Sequence, residues 1–304
     1  MAVILGGLLA VQAAANLQLS KATASPLGAS ALQLSIGTVA LAILGLFVGG
    51  FGGINALFSA PWWHLIGGFG SAIYITAGII LFPRLGALHA VGLFIAGQML
   101  TSLLIDTFGW LGVAQEPFSP SALLGGLFVL GGAGLVVKSA KLPAQEAHNK
   151  NHLLLTLFAV LAGAALAAQG PINALLRHDV ERGGGTIIVA ALFSFALATV
   201  VMAASLALWQ FITKSSKPKL PTSKMPFWGY IGGFVGATYV VAMPLLIPIL
   251  GVASTVGLTV VGQQLASMAV DRWGLMRMVK RALTPMRVAG VVLLLTGVFL
   301  IQFI

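Results

Sequence analysis

Gly97-Gln98-Met99-Leu100-Thr101-Ser102-Leu103-Leu104-Ile105-Asp106-Thr107-Phe108-Gly109 returns later in the chain as Gly262-Gln263-Gln264-Leu265-Ala266-Ser267-Met268-Ala269-Val270-Asp271-Arg272-Trp273-Gly274. Both copies read G-Q-x-L-x-S-x-x-x-D-x-aromatic-G, offset by 165 residues. Each lies in an apolar run, where an amide, a hydroxyl and a carboxylate are costly to carry. The same costly set met twice points to an internal duplication.

Composition identifies the solvent. Of 304 residues, 59% are hydrophobic and 7% charged, against about 25% charged in a soluble domain. Apolar runs of about 20 residues recur from end to end, each able to cross a hydrocarbon core of about 30 Å. The short alternating segments of a transmembrane β-barrel are absent. Turn and charge signals divide the chain into ten spans, at about 2–20, 28–50, 62–83, 87–108, 120–138, 152–176, 185–212, 227–248, 252–272 and 284–303. The apolar start leads to Ala13-Ala14-Ala15 but lacks a basic n-region, so it reads as a first helix and not a signal peptide.

The duplication extends beyond the motif. Gly67-Gly68-Phe69 and Tyr74 answer Gly232-Gly233-Phe234 and Tyr239, and Trp63, Pro83 and Gly86 answer Trp228, Pro248 and Gly251, all at 165. In the first span of each half, Gln12 and Asn16 answer Gln169 and Asn173 at 157, a shift assigned to the longer basic loop after the seventh span. The repeat is therefore five spans long, 1–138 and 152–304, joined by a polar linker at 139–151. An odd-length repeat places its second copy upside down, so the expected fold is an all-α polytopic membrane protein with ten transmembrane helices as two inverted five-helix repeats.

The charges test this topology. With ten spans, fourteen of the sixteen Lys and Arg residues, including Lys21 and Arg287, fall on one face, and only Arg177 and Arg182 on the other. By the positive-inside rule the fourteen are cytoplasmic, and both termini lie on the non-cytoplasmic side of the cytoplasmic (inner) membrane. The net charge of +10 then reflects topology, and no nucleic-acid partner is expected. Trp62, Trp63, Trp110, Trp209, Trp228 and Trp273 sit near span ends, as lipid-headgroup anchors do. Lipid is thus an expected partner.

Gln98, Ser102 and Asp106 fall at i, i+4 and i+8, along one helical face, as do Gln263, Ser267 and Asp271. Lipid satisfies none of these groups, so the faces turn inward. Gln98 and Gln263 lie midway along their spans and, in an inverted pair, meet near the bilayer centre, where inverted-repeat carriers bind solute. Gln12, Asn16, Gln169, Asn173, Tyr74, Tyr239, Ser102 and Ser267 extend that candidate site. The plainer reading makes the amides inter-helix glue, worth about 0.6–2 kcal/mol each. Asp106 and Asp271 stand at opposite faces. Lys21 is expected to pair with Asp271 and Arg177 or His178 with Asp106, as alternate gates; the alternative is that each Asp meets nearby basic groups or caps a neighbouring helix. His64, His89 and His148 are unrepeated and carry no assigned role.

No HExxH, GxSxG, P-loop or acidic metal cluster is present, and there is no cysteine. Hence no enzyme, metal or cofactor is expected.

The duplicated G-Q-x-L-x-S-x-x-x-D, with Q-x-x-x-N in the first span of each half, resembles a fused, two-repeat member of the YdcZ-like branch of the drug/metabolite transporter superfamily. Leu27-Gly28-Ala29, Ser35-Ile36-Gly37-Thr38, Gly125 and Gly132 belong to the same resemblance, with Ala196-Leu197 standing where Gly37-Thr38 is expected. It implies a ten-helix carrier of small organic solutes. The residues point to a secondary transporter working by alternating access, with a proton or no coupling ion, as monomer or homodimer. The rival is a non-transporting scaffold or assembly subunit.

Overall fold

The computed structural model describes residues 1–304 other than 49–50, 86, 117–118, 140–151, 215–217, 219–224, 279, 281–282 and 304, with side chains except at 83, 87–89, 137, 152 and 302–303. Among the described residues the chain is all-helical: α1 Ala2–Thr23, α2 Pro26–Phe47, the single turn α3 Ala56–Ser59, α4 Gly68–Leu85, α5 Ala87–Phe108, α6 Pro120–Ser139, α7 His152–Arg182, α8 Ile187–Thr213, α9 Ile231–Leu250, α10 Val252–Trp273 and α11 Pro285–Phe303. Seven helical stretches are long and apolar enough to cross a membrane. The described apolar parts of α6 and α11 are shorter, and α10 is diluted by Gln263, Gln264, Asp271 and Arg272. The expected linker at 139–151 lies, beyond Ser139, outside the described residues.

Local chemistry explains the breaks. Ser25 is extended and accepts from Gly28 N–H at 3.0 Å through its hydroxyl, and Pro26 follows at the first helical position, so α2 starts there and not at 28. Each motif ends in the same turn. Gly109 and Gly274 have φ of 64° and 65°, and Leu111 and Met276 have φ of 57° and 53°, a left-handed conformation that glycine adopts freely and the other two do not. Two expectations about loops are corrected. Arg177 and His178 lie within α7, which runs on to Arg182 with an Arg177–Glu181 ion pair one turn apart. Arg287 is not in a loop; it sits in the first turn of α11, buried.

Close helix crossings rest on small residues. A side chain at Gly97 would meet the backbone of Val160, and one at Gly163 the backbone of Phe94, where α5 crosses α7. Gly262 and Gly6 do the same against Val3 and Thr259, where α10 crosses α1. These glycines correspond at offsets of 165 and 157, so one crossing has been built twice. In the α6–α11 contact, Gly125 opposes Gly297 and Gly132 opposes Gly290.

The α2–α8 contact corrects the sequence alignment. Thr38 Oγ1 lies 2.8 Å from Thr199 Oγ1, each also bonded to its own helix four residues back. That pairs the helices at an offset of 161, with α8 starting at 187 as α2 starts at 26. The counterpart of Thr38 is thus Thr199 and not Leu197. Half of the shift arises in the turn before α8, and the basic loop supplies only the rest.

Helix ends sort to two ends of the bundle. At one, α5 and α7 finish and α10 begins, around Asp106. At the other, α10 finishes and α11 begins, around Asp271.

Candidate functional site

The first polar cluster is assembled on one carbonyl. Gln12 Nε2 and Gln33 Nε2 both donate to Gly232 O, at 3.1 and 3.2 Å, and Asn16 Nδ2 donates to Gln33 Oε1 at 2.7 Å. A carbonyl only accepts, so the two glutamine nitrogens are oriented without ambiguity and Asn16 follows from Gln33. A side chain at Gly232 would displace Asn16 Oδ1. In the second copy Ser71 donates to Gln169 Oε1 at 3.0 Å, and a side chain at Gly67 would strike Asn173 Oδ1. Gln33 was missed in the sequence because the wrong register hid its counterpart; at 161 it matches Ser194, also fully buried.

The central residues are not equivalent. Gln263 Nε2 donates to Tyr74 Oη at 2.8 Å, linking α10 to α4. Gln98 is 1% exposed and its Nε2 has no partner among the described residues. Gln98 and Gln263, expected to meet, form no hydrogen bond with each other. Tyr239 is buried, and Tyr74 packs on Phe94 with ring centroids 5.0 Å apart. Ser102 and Ser267 satisfy themselves, donating to Met99 O and Gln263 O of their own helices at 3.0 and 2.8 Å.

The expected ionic gates form other bonds. Asp106 accepts from Val252 N–H at 3.1 Å and from Ala253 N–H, and so caps α10 from the end of α5. Gly251, with φ of 79°, turns the chain sharply enough to present those donors. Neither Arg177 nor His178 is its partner. Arg177 Nη1 instead donates to Pro244 O at 3.1 Å, a carbonyl left open because Pro248, four residues on, has no N–H. At the other end Asp271 pairs with Arg287 Nη2 at 3.0 Å, both buried, while Lys21 is exposed and forms no ion pair among the described residues. Arg287 was missed because its counterpart, Ala122, carries no charge. His64, left without a role, bonds Asp179 through Nδ1 and ties the 3-10 turn before α4 to α7.

Cavities of different size lie toward the two ends of the bundle. At the Asp106 end, one of about 530 Å³ is lined by Val113, Pro171 and Ile247, with Glu116 and His178 as its ionisable groups. The counterparts of the first three are Met278, Ala14 and Phe82. They line a remnant of about 30 Å³ that also touches Gln263, Ser267 and Asp271. A further remnant of about 20 Å³ adjoins Gln12, Asn16 and Tyr74. The first reaches the size of small-molecule sites, about 300–1,000 Å³. Among the described residues no three His, Asp or Glu converge on a metal site.

The family described as "Putative inner membrane exporter, YdcZ" matches residues 1–135 and 154–300. No curated protein matches. A solved structure called only "Crystal structure of protein" superposes with a TM-score of 0.60 over 98% of this chain and 95% of its own, at 20% identity. That likeness concerns the fold alone.

Proposed function

The chain belongs to the YdcZ inner-membrane exporter family, and we propose that it is a secondary transporter moving a small organic metabolite or drug-like solute by alternating access. One observation carries this reading: a cavity of about 530 Å³, the size of a small-molecule site, at the Asp106 end of the bundle. A cavity of that size at one mouth is what a carrier open to that side presents. The solute would pass between the halves beside Gln98 and Gln263, with Gln12, Asn16, Gln169, Asn173, Tyr74 and Tyr239 around it, and Asp106, Asp271, Arg177, His178 and Lys21 near the two mouths.

The same reading takes all ten long helices as spans, in two inverted repeats of 1–138 and 152–304. The copied α1–α10 and α5–α7 crossings support it, since two copies of one interface are what a two-fold axis between halves produces. The basic residues put the Asp271 end in the cytoplasm and the Asp106 end and both termini outside. The scaffold reading draws on Gln12, Gln33 and Asn16, whose bonds are all between helices.

Proteoliposomes containing the full chain, with Gln98→Ala and Gln263→Ala beside it, separate the two. Saturable flux of a library solute that falls in both variants supports the carrier. Stable, folded wild type and variants that move no solute favour the scaffold.

A further inference from the structure

The duplicated tyrosines and glutamines offer two copies of one hydrogen bond, and only one copy is made. Gln263 donates to Tyr74 at 2.8 Å, whereas Gln98, its counterpart, has an unpartnered Nε2 in a fully buried setting. A buried amide hydrogen left unpaired costs about 1–3 kcal/mol, which a partner in another state would recover. The repeat names that partner as Tyr239, the counterpart of Tyr74. Gln263 lines one of the two small cavities and Tyr74 the other, while the large cavity borders the end of α9, the helix that carries Tyr239.

We propose that Tyr74–Gln263 and Tyr239–Gln98 are alternate latches, one made in each access state, on whichever side of the bundle is closed. Resting on the alternating-access reading, this gives each glutamine two duties in turn. Tied to its tyrosine, it holds its side shut. Released, it presents its amide to the solute. In the state seen here Gln98 is the released one.

The chain has no cysteine, so single introduced cysteines report cleanly. Ala174→Cys lines the open cavity and Ala13→Cys lines both remnants. The rate of modification of each by a membrane-impermeant maleimide is measured on the full chain in nanodiscs. Tyr74→Phe is expected to slow Ala174→Cys and speed Ala13→Cys, by about two- to tenfold for one neutral hydrogen bond. Tyr239→Phe is expected to move both rates the opposite way. The two Phe variants moving the reporters in the same direction, or not at all, overturns the latches. If a Phe variant fails to fold, Gln263→Met and Gln98→Met pose the same question from the other partner. Arg287→Ala, which opens the Asp271 pair, is the control. Reciprocal rate changes there, without any from the tyrosines, refute the latches and leave alternating access standing. Reporters that never move reciprocally in any variant refute both.

Discussion

Removing the Asp106 carboxylate should free the start of α10. The carboxylate takes two first-turn amides, Val252 N–H and Ala253 N–H, from a helix that is not its own. Hydrogen bonds to a charged group contribute about 1.5–3 kcal/mol each when buried, and loss of a helix cap about 0.5–2 kcal/mol. Gly251 borders the large cavity, so water can reach the freed amides and recover part of this. For Asp106→Ala the net cost is about 2–4 kcal/mol. Asp106→Asn keeps one acceptor oxygen in place and should cost about 1 kcal/mol. Backbone hydrogen exchange at Val252 and Ala253 reads this directly. At tenfold per 1.4 kcal/mol the amides should exchange roughly 30- to 1,000-fold faster in the Ala variant and about fivefold faster in the Asn variant. A residue acting only as an ionic gate behaves differently: flux falls in both variants while exchange at α10 is unchanged. Protection at Val252 and Ala253 that survives Asp106→Ala would sink the capping argument.

Arg177→Ala strips the donor from Pro244 O and should cost about 1–3 kcal/mol. In a Pro248→Ala background, where residue 248 again donates within the helix, the same substitution should cost much less, a coupling that a double-mutant cycle of unfolding measures. Asp271→Asn takes the counter-charge from the buried Arg287 guanidinium and should cost about 3–5 kcal/mol in detergent unfolding. Gly97→Leu should abolish folding, because no side chain fits between α5 and the Val160 backbone; Gly134→Leu, where a side chain meets open space, should express normally.

Much of the fold was legible because period and solvent jointly constrain it. A run of about 20 apolar residues has few options but a helix, and the ten long helices fall on the expected spans to within a few residues except where polar bonds carried a helix past its apolar part. α7 outran its span to Arg182 for that reason: Arg177–Glu181 and His64–Asp179 hold the last turns. Register was less legible. Between α2 and α8 no polar motif repeats strongly, so Gly37-Thr38 was set against Ala196-Leu197, and only the contact of Thr38 with Thr199 revealed the true match.

The site was legible as a set of residues and illegible as a set of bonds, and Asp106 and Asp271 show why. Spacing along a helix tells which side chains share a face, so both motifs correctly placed their polar faces inward. It carries no information about what stands opposite. Asp106 meets the opened start of α10, a consequence of Gly251 and of where α9 stops. Asp271 meets Arg287, a consequence of one residue in a helix whose other copy has Ala122 there. One motif thus performs two tasks, a neutralising cap at one end and a buried ion pair at the other. The two ends therefore differ in what must be broken to open them: amides that water can replace against a desolvated charge pair that it cannot replace cheaply. On that difference the Asp106 end should open more readily in the empty protein, and it is the end that carries the large cavity.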